Sequence, residues 1–81
     1  MLKSEEMNKI QKVINIYNMY DVDDISDKKA ISLILDIIDD SELQPEFEKL
    51  SKKYDNGDID SGEQLMRIMN IIEKKYPEIW R

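Results

Sequence analysis

Asp55, Asp58, Asp60 and Glu63 lie within nine residues of one another around the turn Asn56-Gly57. Carboxylate oxygens at this spacing are the groups that hold a hard divalent cation, and a glycine turn lets them approach one another. Calcium asks for more: about six or more oxygens at roughly 2.3–2.6 Å. Four carboxylates therefore need water or a partner to complete the shell. Close carboxylates also serve general acid–base catalysis, and Asp23 with Asp24 or Asp39 with Asp40 are such pairs. Neither pair has a histidine, a cysteine or a phosphate-binding loop beside it, because the chain contains none. The simplest use of all these acids is to cap helices and stay in water. On this reading the chain has no catalytic residues and no cofactor, and Asp55, Asp58, Asp60 and Glu63 are candidate metal ligands only in a secondary, cation-binding reading.

The elements that must position these acids come from a repeated pattern. Residues 10–40 and 44–74 align at an offset of 34 without a gap. Tyr20-Asp21 returns as Tyr54-Asp55, Asp24-Ile25 as Asp58-Ile59, and Ile34, Ile37 and Ile38 as Ile68, Ile71 and Ile72. Val13 and Ile16 are matched by Phe47 and Leu50. A fixed period of this length signals a repeated supersecondary unit. Met7, Ile10, Val13, Tyr17 and Tyr20 recur at helical steps after Ser4, a plausible cap followed by Glu5 and Glu6. A second helix, capped by Asp24 or Ser26, runs to about Asp39 and is apolar around most of its circumference. Isoleucine content alone allows a strand at positions 30–38. The matching stretch 64–72 contains good helix formers, so both copies are predicted helical.

Ser41 with Gln44 fits a capping box, with Pro45 in the first turn of a third helix that presents Phe47, Leu50 and Tyr54. Asp60 with Glu63, or Ser61 with Gln64, fits another box for a fourth helix, and Pro77 ends that helix near Tyr76. The expected fold is all-α: a small four-helix bundle made of two helix–loop–helix repeats of about 34 residues. It is a single domain over 1–81, with units at about 4–40 and 41–76 and an apolar tail at 77–81, where Ile79 and Trp80 fold back on the bundle. Tyr17, Tyr20, Tyr54 and Tyr76 are expected at the core's edge with their hydroxyls in water, and the methionines and Trp80 within the core.

The run Asn56-Gly57-Asp58-Ile59-Asp60-Ser61-Gly62-Glu63 resembles the second half of an EF-hand calcium loop. It carries the turn glycine, an isoleucine two residues later, and a glutamate four residues after that. The resemblance implies that Ile25 and Ile59 meet across a short β-bridge and that Glu63 grips calcium with both oxygens. Counting back from Glu63 as the twelfth position, Lys52 and Tyr54 stand where that family places carboxylates, and the other copy ends at Lys29. Asp60-Ser61 before an apolar helix looks like the attachment site of an acyl carrier protein, but Gly62 replaces the expected leucine and two following helices are missing. The 34-residue period invites comparison with tetratricopeptide repeats, whose small packing residues are absent here.

Composition narrows the function. The chain has 81 residues, 18 acids against 12 bases and a net charge of −6. That balance opposes nucleic-acid binding and suits a basic partner or a cation. At 41% hydrophobic it can close a core. No apolar run approaches the ~18 residues of a membrane span, and the acids at Glu5 and Glu6 do not suit a signal peptide, so the expected location is cytoplasmic. The expected function is a small acidic, non-enzymatic protein-interaction module, such as an inhibitor, an immunity- or antitoxin-like protein or a phage-type regulator. The alternatives are a degenerate EF-hand-like cation module and a homodimer formed through the second helix.

Overall fold

A computed structural model describes residues 4–77. Among them are four helices and no strand: α1 (Ser4–Asp21), α2 (Asp27–Ile37), α3 (Gln44–Asp55) and α4 (Ser61–Lys75). The isoleucine-rich run is helical, as expected from its matching stretch. The expectations for Ile79 and Trp80 lie outside the described residues.

Helix α2 packs on α1 and on α4, and α3 packs on α4. The two isoleucine-rich helices thus form the centre, with α1 and α3 outside them. One stripe of each helix closes the core. Val13, Ala30, Ile34, Ile68 and Ile72 are fully enclosed, with Ile10, Ile16, Phe47, Leu50, Leu65 and Met69 around them. Fully burying one such aliphatic side chain contributes about 1.5–3 kcal/mol before entropy is counted. The apolar excess of α2 is used inside one chain. Ala30, Ile31 and Ile34 are buried, Leu33, Leu35 and Ile37 are partly covered against the core, and no residue of α2 is among the exposed large hydrophobics.

The loop after α1 and the loop after α3 close in the same way. Val22, Asp23 and Asp24 donate backbone N–H groups to the carbonyls of Asn18, Tyr20 and Met19 at 3.2, 3.0 and 2.8 Å. Asn56, Gly57 and Asp58 donate to Lys52, Tyr54 and Lys53 at 2.9, 3.0 and 2.9 Å. Both sets satisfy orphan carbonyls at a helix end through a left-handed residue, Asp23 at φ 62° and Gly57 at φ 80°. The next helices begin alike. Ser26 Oγ accepts from the Lys29 N–H at 3.1 Å, and Asp60 Oδ1 accepts from the Glu63 N–H at 2.8 Å. The helices on either side differ, with 18 and 11 residues in one unit and 12 and 15 in the other.

Several local expectations are corrected. The Ser41–Gln44 capping box does not form. Leu43 occupies the cap position with no side-chain bond, because its side chain is buried in the core. Asp40 organises that turn instead: its carboxylate accepts from the Glu42 N–H at 2.9 Å, and its carbonyl accepts from Leu43 and Gln44. Helix α2 stops at Ile37, short of Asp39, and Ile38 turns its side chain inward with only 4% exposed. Asp60 caps α4, but the Glu63 carboxylate pairs with Arg67 at 2.7 Å. Ile25 and Ile59 form no β-bridge; both sit in coil beside helix caps and pack on the core. Of the described methionines only Met69 is buried. Met7 and Met66 are more than half exposed, and Met19 is 36% exposed. Helix α1 has 18 residues and α2 only 11, a difference of about 10 Å at 1.5 Å per residue.

Candidate functional site

The two hairpin loops lie at one end of the molecule. A Cβ placed on Gly62 would lie 3.4 Å from Asp60 Oδ1 and 3.9 Å from Asp27 Oδ2, so the first turns of α2 and α4 stand side by side. Lys28 Nζ sits 5.7 Å from the centroid of the Tyr54 ring, which brings the end of α3 to the same place. This end gathers Asp21, Asp23, Asp24 and Asp27 from one unit and Asp55, Asp58, Asp60 and Glu63 from the other. All are exposed except Asp27, which is half-buried. Met19 in the last turn of α1 and Val22, 72% exposed, add apolar surface beside the acids.

The candidate ligands do not converge. Asp55 closes α3, Asp58 lies in the turn, Asp60 caps α4 and Glu63 pairs with Arg67. Among the described residues no group of three or more Asp or Glu side chains is placed to hold a metal ion. Their positions follow from local physics. Asp60 satisfies an N–H that the helix leaves open, and Glu63 faces the positive end of the α4 dipole.

The opposite end holds the most connected polar cluster, which joins residues more than 30 positions apart. Lys75 at the end of α4 reaches back to the α2–α3 turn, where its ammonium donates to Asp40 Oδ2 and, at 2.9 Å, to Glu42 Oε2. The Tyr76 hydroxyl donates to the same Asp40 oxygen at 3.1 Å. The Tyr76 hydroxyl therefore departs from the expectation of hydroxyls in water. The hydrogen bond from Lys75 holds the Asp40 carboxyl below the usual aspartate range, helped by the Glu42 N–H and the Tyr76 hydroxyl. The bonds to Asp40 and then Glu42 raise the Lys75 ammonium. Burial, then the bond to Asp40, raises the Tyr76 phenol. These bonds tie the Asp40 carboxylate to Lys75, Glu42 and Tyr76.

Beside the cluster is an open groove of about 250 Å³ whose walls include Glu6, Lys9, Ile10, Ile38, Asp39 and Tyr76. One side is the first half of α1, through Glu6, Lys9 and Ile10. Local sequence carries no signal for either the cluster or the groove, since both arise from contacts between distant segments. Comparison of the chain with protein-family profiles, with curated proteins and with solved structures found no match.

Proposed function

We propose that this chain is a small acidic, non-enzymatic protein-interaction module, of the kind that acts as an inhibitor, an immunity- or antitoxin-like protein or a small regulator. The observation that carries the reading is the convergence of both acid-rich loops on one end, with Met19 and Val22 exposed among them. Apolar side chains within a charged surround are what a protein interface uses, apolar groups for affinity and charge for capture. The excess of acids over Lys28, Lys29, Lys52 and Lys53 at this end raises the encounter rate with a basic partner and makes it sensitive to salt.

The test is affinity capture from native cell extract with the wild-type chain and with a variant in which Asp21, Asp24, Asp55 and Asp58 become Asn. Asp60 and Ser26 are left in place so that both caps persist. The expected result is a basic protein retained at low salt, released at high salt and lost by the variant, whose helical circular dichroism is unchanged. Retention of the same protein by the variant would refute the assignment of this end.

A further inference from the structure

We propose that Asn56 is a self-modification site, converted to aspartate and isoaspartate through a cyclic imide with Gly57, and that the folded loop after α3 holds this reaction back until it opens. The chain has five asparagines, and Asn56 alone is followed by glycine. Asn8, Asn15, Asn18 and Asn70 precede Lys9, Ile16, Met19 and Ile71. The nucleophile is the backbone nitrogen of the following residue, and a glycine leaves it unhindered and its backbone free to turn. The Gly57 nitrogen gives up its proton and bonds to Cγ of Asn56. The Cγ–Nδ2 bond breaks, and the side-chain nitrogen takes the proton and leaves as ammonia. Water, the one co-reactant, then opens either ring C–N bond. Opening at Cγ gives aspartate. Opening at the main-chain carbonyl gives isoaspartate, in which the chain runs through Cβ and Cγ.

Access is not the obstacle. Asn56 and Gly57 are both exposed, and nothing lies within 4 Å of a Cβ placed on Gly57. The obstacle is direction. Asn56 has φ −81° and ψ −6°, so the Gly57 nitrogen eclipses the Asn56 nitrogen and faces away from its side chain. To close the ring that nitrogen must eclipse Cβ instead, a turn of roughly 120° about the Cα–C bond of a tetrahedral Cα. The same N–H donates to the Tyr54 carbonyl at 3.0 Å, and the next one, of Asp58, donates to Lys53 at 2.9 Å. Both bonds must break before the peptide can rotate. Openings at a helix end belong to the least costly motions of a fold, so the reaction is slowed and not abolished.

The product acts on the loop that made it. Isoaspartate adds a carbon to the backbone between the Tyr54 carbonyl and the Gly57 N–H, and between Lys53 and Asp58. The bonds that end α3 then no longer fit, whereas aspartate leaves the backbone unchanged. The loop after α1 makes the matching bonds with Val22 and Asp23 in these places, which lack the side-chain amide. Ageing therefore disables one hairpin and spares its twin, whatever binds at this end.

The test is peptide mapping by mass spectrometry of the full chain aged in mildly alkaline buffer, folded and in urea. Conversion should occur first at Asn56 and be several-fold slower in the folded chain. The aspartyl and isoaspartyl chains are then separated and melted. The isoaspartyl chain should unfold at lower temperature than the aspartyl chain, and an Asn56→Asp variant should melt like the aspartyl chain. Conversion as fast in the folded chain as in urea would overturn the proposal. So would earlier conversion at another asparagine, or an isoaspartyl chain as stable as the aspartyl one.

Discussion

The loop after α1 and the loop after α3 reach one backbone geometry from different residues. Each ends its helix with the same three hydrogen bonds, places one residue in the left-handed region and caps the next helix with a side-chain oxygen. Yet Gly57, for which the left-handed region costs little, is matched by Asp23, which is strained there. The last turn of α3 carries Lys52 and Lys53, whereas α1 ends with no base and with Asp21, Asp23 and Asp24 against the negative end of its dipole. The first loop is thus held by what it connects. Tyr20 and Ile25 pack on the core on either side of it, as Tyr54 and Ile59 do on either side of the second. Closure of the apolar stripes sets the loop geometry, and local residue preference only adjusts its cost.

This equivalence can be broken at its strongest point by charging the centre. Ile34 and Ile68 stand at matching positions and are both fully buried, so Ile34→Asp and Ile68→Asp should each unfold the domain, an unpaired buried charge costing several kcal/mol. Thermal melts followed by circular dichroism decide it. A normal melt for either one would show that the two hairpins do not share a core. Removing the caps comes next. Ser26→Ala and Asp60→Ala should each lower stability by about 1 kcal/mol in urea titrations. Asp60→Ala should lose the more, because its charge also faces the helix dipole.

The left-handed residues sharpen the comparison through opposite signs. Gly57→Ala should cost about 1–2 kcal/mol from backbone strain alone, since nothing lies within 4 Å of the added methyl. Asp23→Gly should stabilise by about 0.5–1 kcal/mol, as the cost of Asp in that region is removed. Two changes of the same sign would mean that the loops differ in more than residue type.

The smallest effect is the pH dependence of the cluster at the far end. The folded-state pKa of Asp40 lies below its ordinary value of 3.8, so its contribution is present above that value and is lost as pH falls through the folded one. Tyr76 and Lys75 are raised. Their contributions are present below their ordinary values, about 10.0 and 10.5, and fade as pH rises beyond them. Asp40→Asn should therefore flatten both limbs of a stability–pH curve, and unchanged limbs would show that the cluster does not couple to folding.

What was legible in the sequence was whatever depends on near neighbours. Helical periodicity, the end of α4 before Pro77, the cap at Asp60 and the Asn56-Gly57 turn all rest on residues a few positions apart. The Ser41–Gln44 box shows the limit of that kind of reading. Its residue types fit, but burying Leu43 moved the helix start and gave the turn to Asp40. The candidate metal ligands are drawn to other partners for a related reason. The carboxylates are close in sequence, but the helix needs Asp60 for its own N–H groups and Arg67 holds Glu63.

The sequence by itself determined the four helices, the stripe each one buries and the acidic character of the loops, because these follow from periodicity and side-chain chemistry over one or two turns. Only the tertiary structure decided that both loops share one end, that Lys75 and Tyr76 converge on Asp40, and that the first half of α1 lines a groove with the α2–α3 turn and Tyr76. Each of these depends on helix lengths and on how the buried stripes align in space, and no short window of residues contains that information.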